Sequence, residues 1–304
     1  MQERPRRLVL RRDALLAGRT DDELARLLRF EGWSRLRRGA YLDGQLPTSA
    51  AVRHALLVAA TLADLRRAAV VSHQSAAVLL GMPVWGARLD RVHVTRRPPA
   101  SSQTTGPLRC HVARFRDDEL TDVGGVVVTD PARTALDLAR SLPFEPAVVA
   151  VDAALYERFV TREQLERRLL DIAGTRGSRH AARVIAFADR RSESVGESRS
   201  RVVLAELGLS PSTLQFEVTT SQGRSLGRTD FAWEEQRLVG EFDGRIKYGR
   251  LLRPGQSAGD AVFEEKRRED LIRDEGWRMV RWTWDDIRTR EALGARIKRG
   301  LGRR

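Results

Sequence analysis

Asp230, Glu241 and Asp243 are the residues of this 304-residue chain whose types and spacing best suit chemistry. They lie in Arg228-Thr-Asp230-Phe-Ala-Trp233 and Leu238-Val-Gly-Glu241-Phe-Asp243-Gly-Arg-Ile-Lys247, two β-type runs joined by the turn Glu234 to Arg237. A hairpin centred on Glu235 and Gln236 pairs Asp230 with Glu241. Residues two apart on a strand share a face, so Asp243 joins them. Like charges directly opposite one another destabilise a sheet, so the patch calls for positive charge. A hard cation, Mg²⁺ or Mn²⁺, takes carboxylate oxygens and keeps several waters. It can then activate one of those waters against a phosphodiester. In this scheme Asp230 and Glu241 hold the ion, and Asp243 is a third ligand or a partner of the ligands. Lys247 orients the attacking water or offsets charge on the phosphate. The chain has 54 basic residues but only three lysines, Lys247, Lys266 and Lys298. Arginine does not give up its proton, whereas lysine is a compact charge that can. The plainer alternative is a solvated hairpin with an ordinary surface lysine.

The elements that must position these residues can also be read. Ser194-Val-Gly-Glu197 opens a helix that ends at Gly208. Glu197 either completes the metal shell or closes a capping box with Ser194. Thr213 to Val218 reads as a first strand, 261–275 as a helix, and Arg278 to Trp284 as a buried strand. Residues 249–260 contain Pro254, Gly255 and Gly259 and read as a mobile loop beside the site.

An acid on one strand, then Glu241-Phe-Asp243-Gly244, then Lys247, then the run Glu265 to Asp270, then Gly276-Trp-Arg-Met-Val-Arg-Trp282 resembles the PD-(D/E)XK nuclease superfamily. The resemblance spans about residues 194–287 and is closest to the very-short-patch-repair-like branch. It implies a restriction-endonuclease-like α/β domain with a central mixed sheet and metal-dependent phosphodiester hydrolysis. It also implies a metal-facing glutamate on the first core helix, where Glu197 stands. The chain departs from the superfamily in carrying Asp243 in place of the usual lysine. It carries Lys247 near the position where that branch usually has histidine.

The N-terminus supplies a second pattern. Asp13 to Gly18 is a short helix, and Thr20 or Asp21 caps the helix Asp22 to Phe30, with Leu24, Leu27, Leu28 and Phe30 at helical spacing. Trp33 to Leu42 follows as a basic β-turn unit. Helix, turn, helix, basic hairpin is the order of a winged helix, whose second helix enters the major groove while the hairpin meets phosphates. Arg35, Arg37 and Arg38 are the candidate DNA contacts. A small helical cap with solvated arginines is the alternative. The run Gly32 to Tyr41 resembles the N-terminal domain of abortive-infection type IV antitoxins, and the middle region resembles their companion domain. That resemblance implies operator DNA and a cognate toxin as partners.

The middle, residues 46–190, reads as α/β. Ala50 to Leu65 is an Ala/Leu-rich helix, and Ser72 to Ser75 caps another, with His73 as a capping or buried histidine. Strands are expected at Arg91–Thr95, Leu108–His111 and Gly125–Thr129. Asp130-Pro131 starts a helix, and residues 145–189 look helical with a break near Gly174 to Gly177. No phosphate-binding glycine loop, nucleophile elbow or Cys/His metal spacing is present in this stretch.

Composition sets the class. A formal charge of +13 and a pI near 11.1 favour a polyanionic partner. The single cysteine, Cys110, excludes an intrachain disulfide and fits a reducing cytoplasm. No apolar run approaches the ~20 residues of a membrane helix, and no signal-peptide core is present. The expectation is therefore a cytoplasmic α/β (α+β multidomain) DNA-associated protein. It divides into a winged helix (1–45), an α/β middle domain (46–190) and a nuclease-like domain (191–304). Two functions compete, with a structural DNA-binding module whose basic face is the whole function as a third class. One is a metal-dependent endonuclease. The other is an antitoxin-type transcriptional regulator whose nuclease fold no longer cuts.

Overall fold

The computed structural model describes residues 7–244 and 258–302. Lys247 and most of the expected loop, residues 249–257, lie outside the described residues. The fold is mixed α/β, and the chain divides into two compact units. One comprises Met1–Leu142 with Phe159–Arg183, the other Pro143–Arg158 with Val184–Arg304.

The first unit opens with β1 (Leu8–Leu10), α1 (Arg11–Leu16), α2 (Asp21–Phe30), β2 (Ser34–Arg37) and β3 (Ala40–Leu42). The strands form an antiparallel sheet in the order β1-β3-β2. Thr20 starts α2 through a reciprocal capping box with Glu23, which settles the Thr20-or-Asp21 alternative. Ala14, Leu24 and Tyr41 are buried together, with Leu27, Leu28 and Trp33 packed against them. The helical spacing of the leucines thus serves a real core, whereas Phe30 is 73% exposed.

After α3 (Ala50–Ala63) the unit builds a six-stranded sheet. Its strands are β4 (Val70–Val71), β5 (Val92–Arg96), β6 (Gln103–Thr105), β7 (Leu108–Val112), β8 (Leu120–Val123) and β9 (Val126–Thr129). The spatial order is β6-β7-β5-β4-β9-β8. The β5–β7 and β4–β9 pairs are parallel, and the other three pairs are antiparallel. The apolar strands β5, β7 and β9 match the sequence reading to within a residue or two. β6 is exposed throughout and β4 has only two residues, so neither carries a readable alternation. Between β4 and β5 runs α4 (His73–Leu79). α5 (Pro131–Ser141) follows β9, with Asp130 accepting from the Arg133 N–H and proline at the first turn. α7 (Arg162–Asp171) and α8 (Ser178–Phe187) come later in the chain.

The second unit takes α6 (Phe144–Tyr156) from the expected middle segment and adds α9 (Val195–Glu206). Four strands follow: β10 (Thr213–Thr219), β11 (Ser225–Trp233), β12 (Leu238–Phe242) and β13 (Arg278–Trp282). The helices α10 (Ala258–Asp274), α11 (Trp284–Arg288) and α12 (Arg290–Gly300) complete it. β10, β11 and β12 are antiparallel neighbours, and β13 lies parallel to β12. Both faces of this mixed sheet are covered. Phe231, Trp233, Leu238, Phe242 and Trp282 pack with Val203 and Leu204 of α9 and with Leu293 and Ile297 of α12. Ala232, Val239 and Met279 pack with Ile272 of α10. Burial on both faces explains why β12 and β13 read as apolar runs.

Candidate functional site

The acidic hairpin has the register its sequence symmetry predicts. Phe231 faces Gly240, Ala232 faces Val239 and Trp233 faces Leu238. One further step places Asp230 opposite Glu241. Arg237, in the left-handed conformation with φ 45°, closes the turn. The pleat carries Asp230 and Glu241 to the face of Ala232 and Val239, the one covered by α10. There the two carboxylates differ. Asp230 accepts the backbone N–H of Phe242 at 2.8 Å. Glu241 accepts Arg281 Nε at 3.0 Å and is also bound by Arg268. Both guanidiniums bind Glu265 of α10, Arg268 at 3.1 Å, and Arg281 also reaches Glu269 at 3.1 Å. Burial works against the charge of Arg268, but its bonds to Glu265 and Glu241 outweigh that and raise its pKa.

The positive charge that the acidic patch requires is thus supplied by two arginines. The sequence reading missed both, because they come from α10 and β13, roughly thirty to forty residues beyond Glu241. A cation at Glu241 must compete with them. Asp243 follows the end of β12, its N–H donating to Trp282 O at 2.8 Å. Among the described residues, Asp230, Glu241 and Asp243 do not form a group whose ligand atoms all lie within 4.8 Å of one another.

Glu197 sits at the start of α9 and is 8% exposed. Its N–H donates to Ser194 Oγ at 3.2 Å. Its carboxylate accepts Ser194 Oγ at 2.6 Å, the Glu193 N–H at 2.9 Å and Gln215 Nε2 at 2.8 Å. Ser194 is thus the N-cap of α9, and the carboxylate is engaged by Ser194, the Glu193 N–H and Gln215 rather than by the reciprocal bond of a capping box. Beside it, Ser194, Val195, Gly196, Glu197, Phe242, Gly244 and Trp284 line a pocket of about 270 Å³.

The three N-terminal arginines also differ. Arg35 and Arg38 are exposed. Arg37 is held inside its unit: its guanidinium donates to Ala60 O and Asp64 Oδ2, each at 2.5 Å, and its side chain is only 14% exposed. Arg37 instead ties the hairpin to α3.

A second constellation arises where the sequence showed no metal spacing. His73, His93 and His111 are far apart in the chain, yet one ring nitrogen of each lies within 4.8 Å of the others. Parallel pairing of β5 with β7 sets Thr95 opposite His111, two residues from His93 on the same face. His73 enters from the start of α4, with φ 53°. His111 Nε2 is 3.0 Å from His93 Nδ1, and the His73 and His111 rings stack at 3.8 Å. His73 Nδ1 is 3.0 Å from Ser72 Oγ, which accepts from Thr95 Oγ1 at 2.7 Å. Burial, followed by neighbouring charges, lowers His93 and His111 to about 3. Burial and then His93 push His73 well below its ordinary value. The local clue in the sequence was that three of its five histidines fall between residues 73 and 111.

Among the described residues no helix is long and apolar enough to cross a membrane. Two curated relatives are uncharacterised proteins of Mycobacterium tuberculosis, from strains CDC 1551 / Oshkosh and ATCC 25618 / H37Rv. Each is 34% identical over 186 residues, which is 60% of this chain and 65% of the relative. This chain thus spans just under two thirds of their length. A crystal structure of the RV2827C protein from the same species aligns with a TM-score of 0.37 at 16% identity, covering 59% of this chain and 71% of that one. Residues 67–187, which include the histidine cluster, match the family model of the AbiEi antitoxin C-terminal domain.

Proposed function

We propose that this protein is an antitoxin-type, DNA-binding regulator that acts against a cognate toxin. The observation that carries this reading is the match of residues 67–187 to an antitoxin domain. The charge of +13 and the strand–helix–helix–hairpin order before that domain support a DNA-binding role. α2 would enter the major groove, and Arg35 and Arg38 would touch the backbone. Two experiments test it. Co-expression should relieve growth arrest by the toxin encoded beside it. Fluorescence anisotropy on duplex DNA from its own upstream region should show a log–log salt slope that falls by about 0.9 for each of Arg35→Ala and Arg38→Ala. Arg37→Ala should instead lower stability. No rescue, together with an unchanged slope, overturns the proposal.

A second reading, metal-dependent cleavage of DNA, keeps one specific support. The second unit runs helix, three antiparallel strands, helix, parallel strand, the order its nuclease resemblance implies. Asp230 and Glu241 sit at facing register positions on it. On this reading Asp230 and Glu241 would hold Mg²⁺ or Mn²⁺, with Asp243, Lys247 and Glu197 in support. Because Arg268 and Arg281 neutralise Glu241, Arg268→Ala should tighten Mn²⁺ binding, whereas Glu241→Gln should abolish both binding and plasmid nicking. Calorimetric titration of Mn²⁺ decides. No uptake by wild type or by Arg268→Ala rejects the reading.

A further inference from the structure

We propose that His73, His93 and His111 form a binding site for a late first-row divalent cation of the zinc class, with one coordination position left for water or a ligand. The site is separate from the acidic hairpin and independent of the function proposed above. Three observations carry it.

The first is convergence. Three ring nitrogens lie within 4.8 Å of one another, so small side-chain rotations bring all three onto a single ion. At a Zn–N distance of 2.0–2.1 Å, tetrahedral ligands stand about 3.3 Å apart. The 3.0 Å separation of His111 Nε2 and His93 Nδ1 is already close to that. Two imidazole lone pairs cannot face each other across that gap with nothing between them. Either a proton or a metal must occupy it.

The second is chemical form. Only neutral imidazole is a ligand. The 3.0 Å contact of His111 Nε2 with His93 Nδ1 takes one ring nitrogen as donor and the other as acceptor, the pairing that two neutral imidazoles make. The proton shared between His93 and His111 need only move to the other nitrogen of the ring that carries it. No net proton is released.

The third is the surrounding shell. Metal-bound histidines hold their second ring nitrogen on a hydroxyl, carbonyl or carboxylate. His73 Nδ1 meets Ser72 Oγ at 3.0 Å, and Ser72 is fixed in turn by Thr95. Asp137 is 1% exposed and lies 3.9 Å from His73 Nδ1, so a buried carboxylate stands beside the site. That carboxylate is shared with a neighbouring arginine. Arg133 is bound to Asp137 and Glu119, and Arg140 donates to Arg176 O at 2.6 Å. His73 also adopts a left-handed backbone, a strained conformation of the kind that clusters at functional sites. Soft and borderline metals favour imidazole, which excludes Mg²⁺ and Ca²⁺ here. His73 is buried, but His93 and His111 are half-buried, so the fourth position has a way out to solvent.

The test uses the untagged full chain and Co²⁺ alone as the probe. Titration should saturate at one ion per chain with visible ligand-field absorption, and Zn²⁺ should displace the Co²⁺. His93→Gln and His111→Gln should each weaken binding by at least about 100-fold, and Ser72→Ala by about 10- to 100-fold. Cys110→Ser and His180→Gln should bind as wild type does, which excludes the buried thiol and a remote histidine. X-ray absorption of the Zn²⁺-loaded wild type needs no variant and should show three imidazole ligands. The proposal is overturned if wild type takes up neither metal at millimolar concentration. It is equally overturned if the absorption spectrum shows sulfur or fewer than three imidazoles.

Discussion

Arg133→Met is expected to destabilise the first unit by about 3–5 kcal/mol, because it leaves buried carboxylates without their cation. Arg133 is 3% exposed on α5. Its Nε is 3.1 Å from Asp137 Oδ2, and its Nη1 is 3.4 Å from Glu119 Oε1. Burial raises the pKa of Asp137 above its ordinary value, with Arg133 opposing the shift, so removing Arg133 should leave Asp137 protonated at a still higher pH. Glu119 keeps the Arg116 N–H at 2.6 Å and Arg168 at 3.5 Å. Most of the loss should therefore fall on Asp137. Adding Asp137→Asn should recover part of it, a non-additive response typical of groups in one network. Urea unfolding of the two single variants and the double variant measures this. A single-variant loss below about 1 kcal/mol, the range of exposed pairs, would show that the network is not a buried one.

Gly196→Ala should cost the second unit about 1–3 kcal/mol through overpacking. A Cβ on Gly196 would lie 1.9 Å from Phe242 Cε1, and Phe242, at the end of β12, is 5% exposed. The ring has little freedom to retreat, since it packs edge-on against Trp284 with centroids 4.7 Å apart. Its own backbone N–H is held by Asp230. The substitution thus presses on the strand that carries Glu241 and on the adjoining 270 Å³ pocket. Gly208 makes a useful contrast. It has φ +67° and nothing within 4 Å of a built Cβ. Gly208→Ala should cost only the conformational strain, about 1 kcal/mol. If the two variants unfold at the same urea concentration, the close contact at Gly196 carries no energetic weight.

Local chemistry explains which features could be read early. The hairpin register followed from symmetry about Glu235 and Gln236. The starts of α2, α5 and α9 followed from Thr20, Asp130-Pro131 and Ser194, because a cap needs only partners three residues away. The helical leucines before Trp33 and the apolar strands β5, β7 and β9 were visible from their periodicity. Short or exposed strands such as β4 and β6 were not, because too few side chains alternate to leave a pattern. The assignment of α6 to the second unit was equally hidden. It depends on Asp152 meeting Arg201 of α9 at 2.7 Å, and on Glu145 meeting Arg199 at 2.6 Å.

The sequence by itself determined which residue types are present, their local helices and turns, and the facing positions of Asp230 and Glu241. Only the tertiary structure decided what surrounds them. It brought Arg268 and Arg281 from α10 and β13 onto Glu241, drew Arg37 away from the surface to Asp64, and gathered three histidines onto one patch. Each of these contacts joins residues far apart in the chain. Their proximity comes from sheet order and helix docking, which packing fixes and short-range spacing does not record.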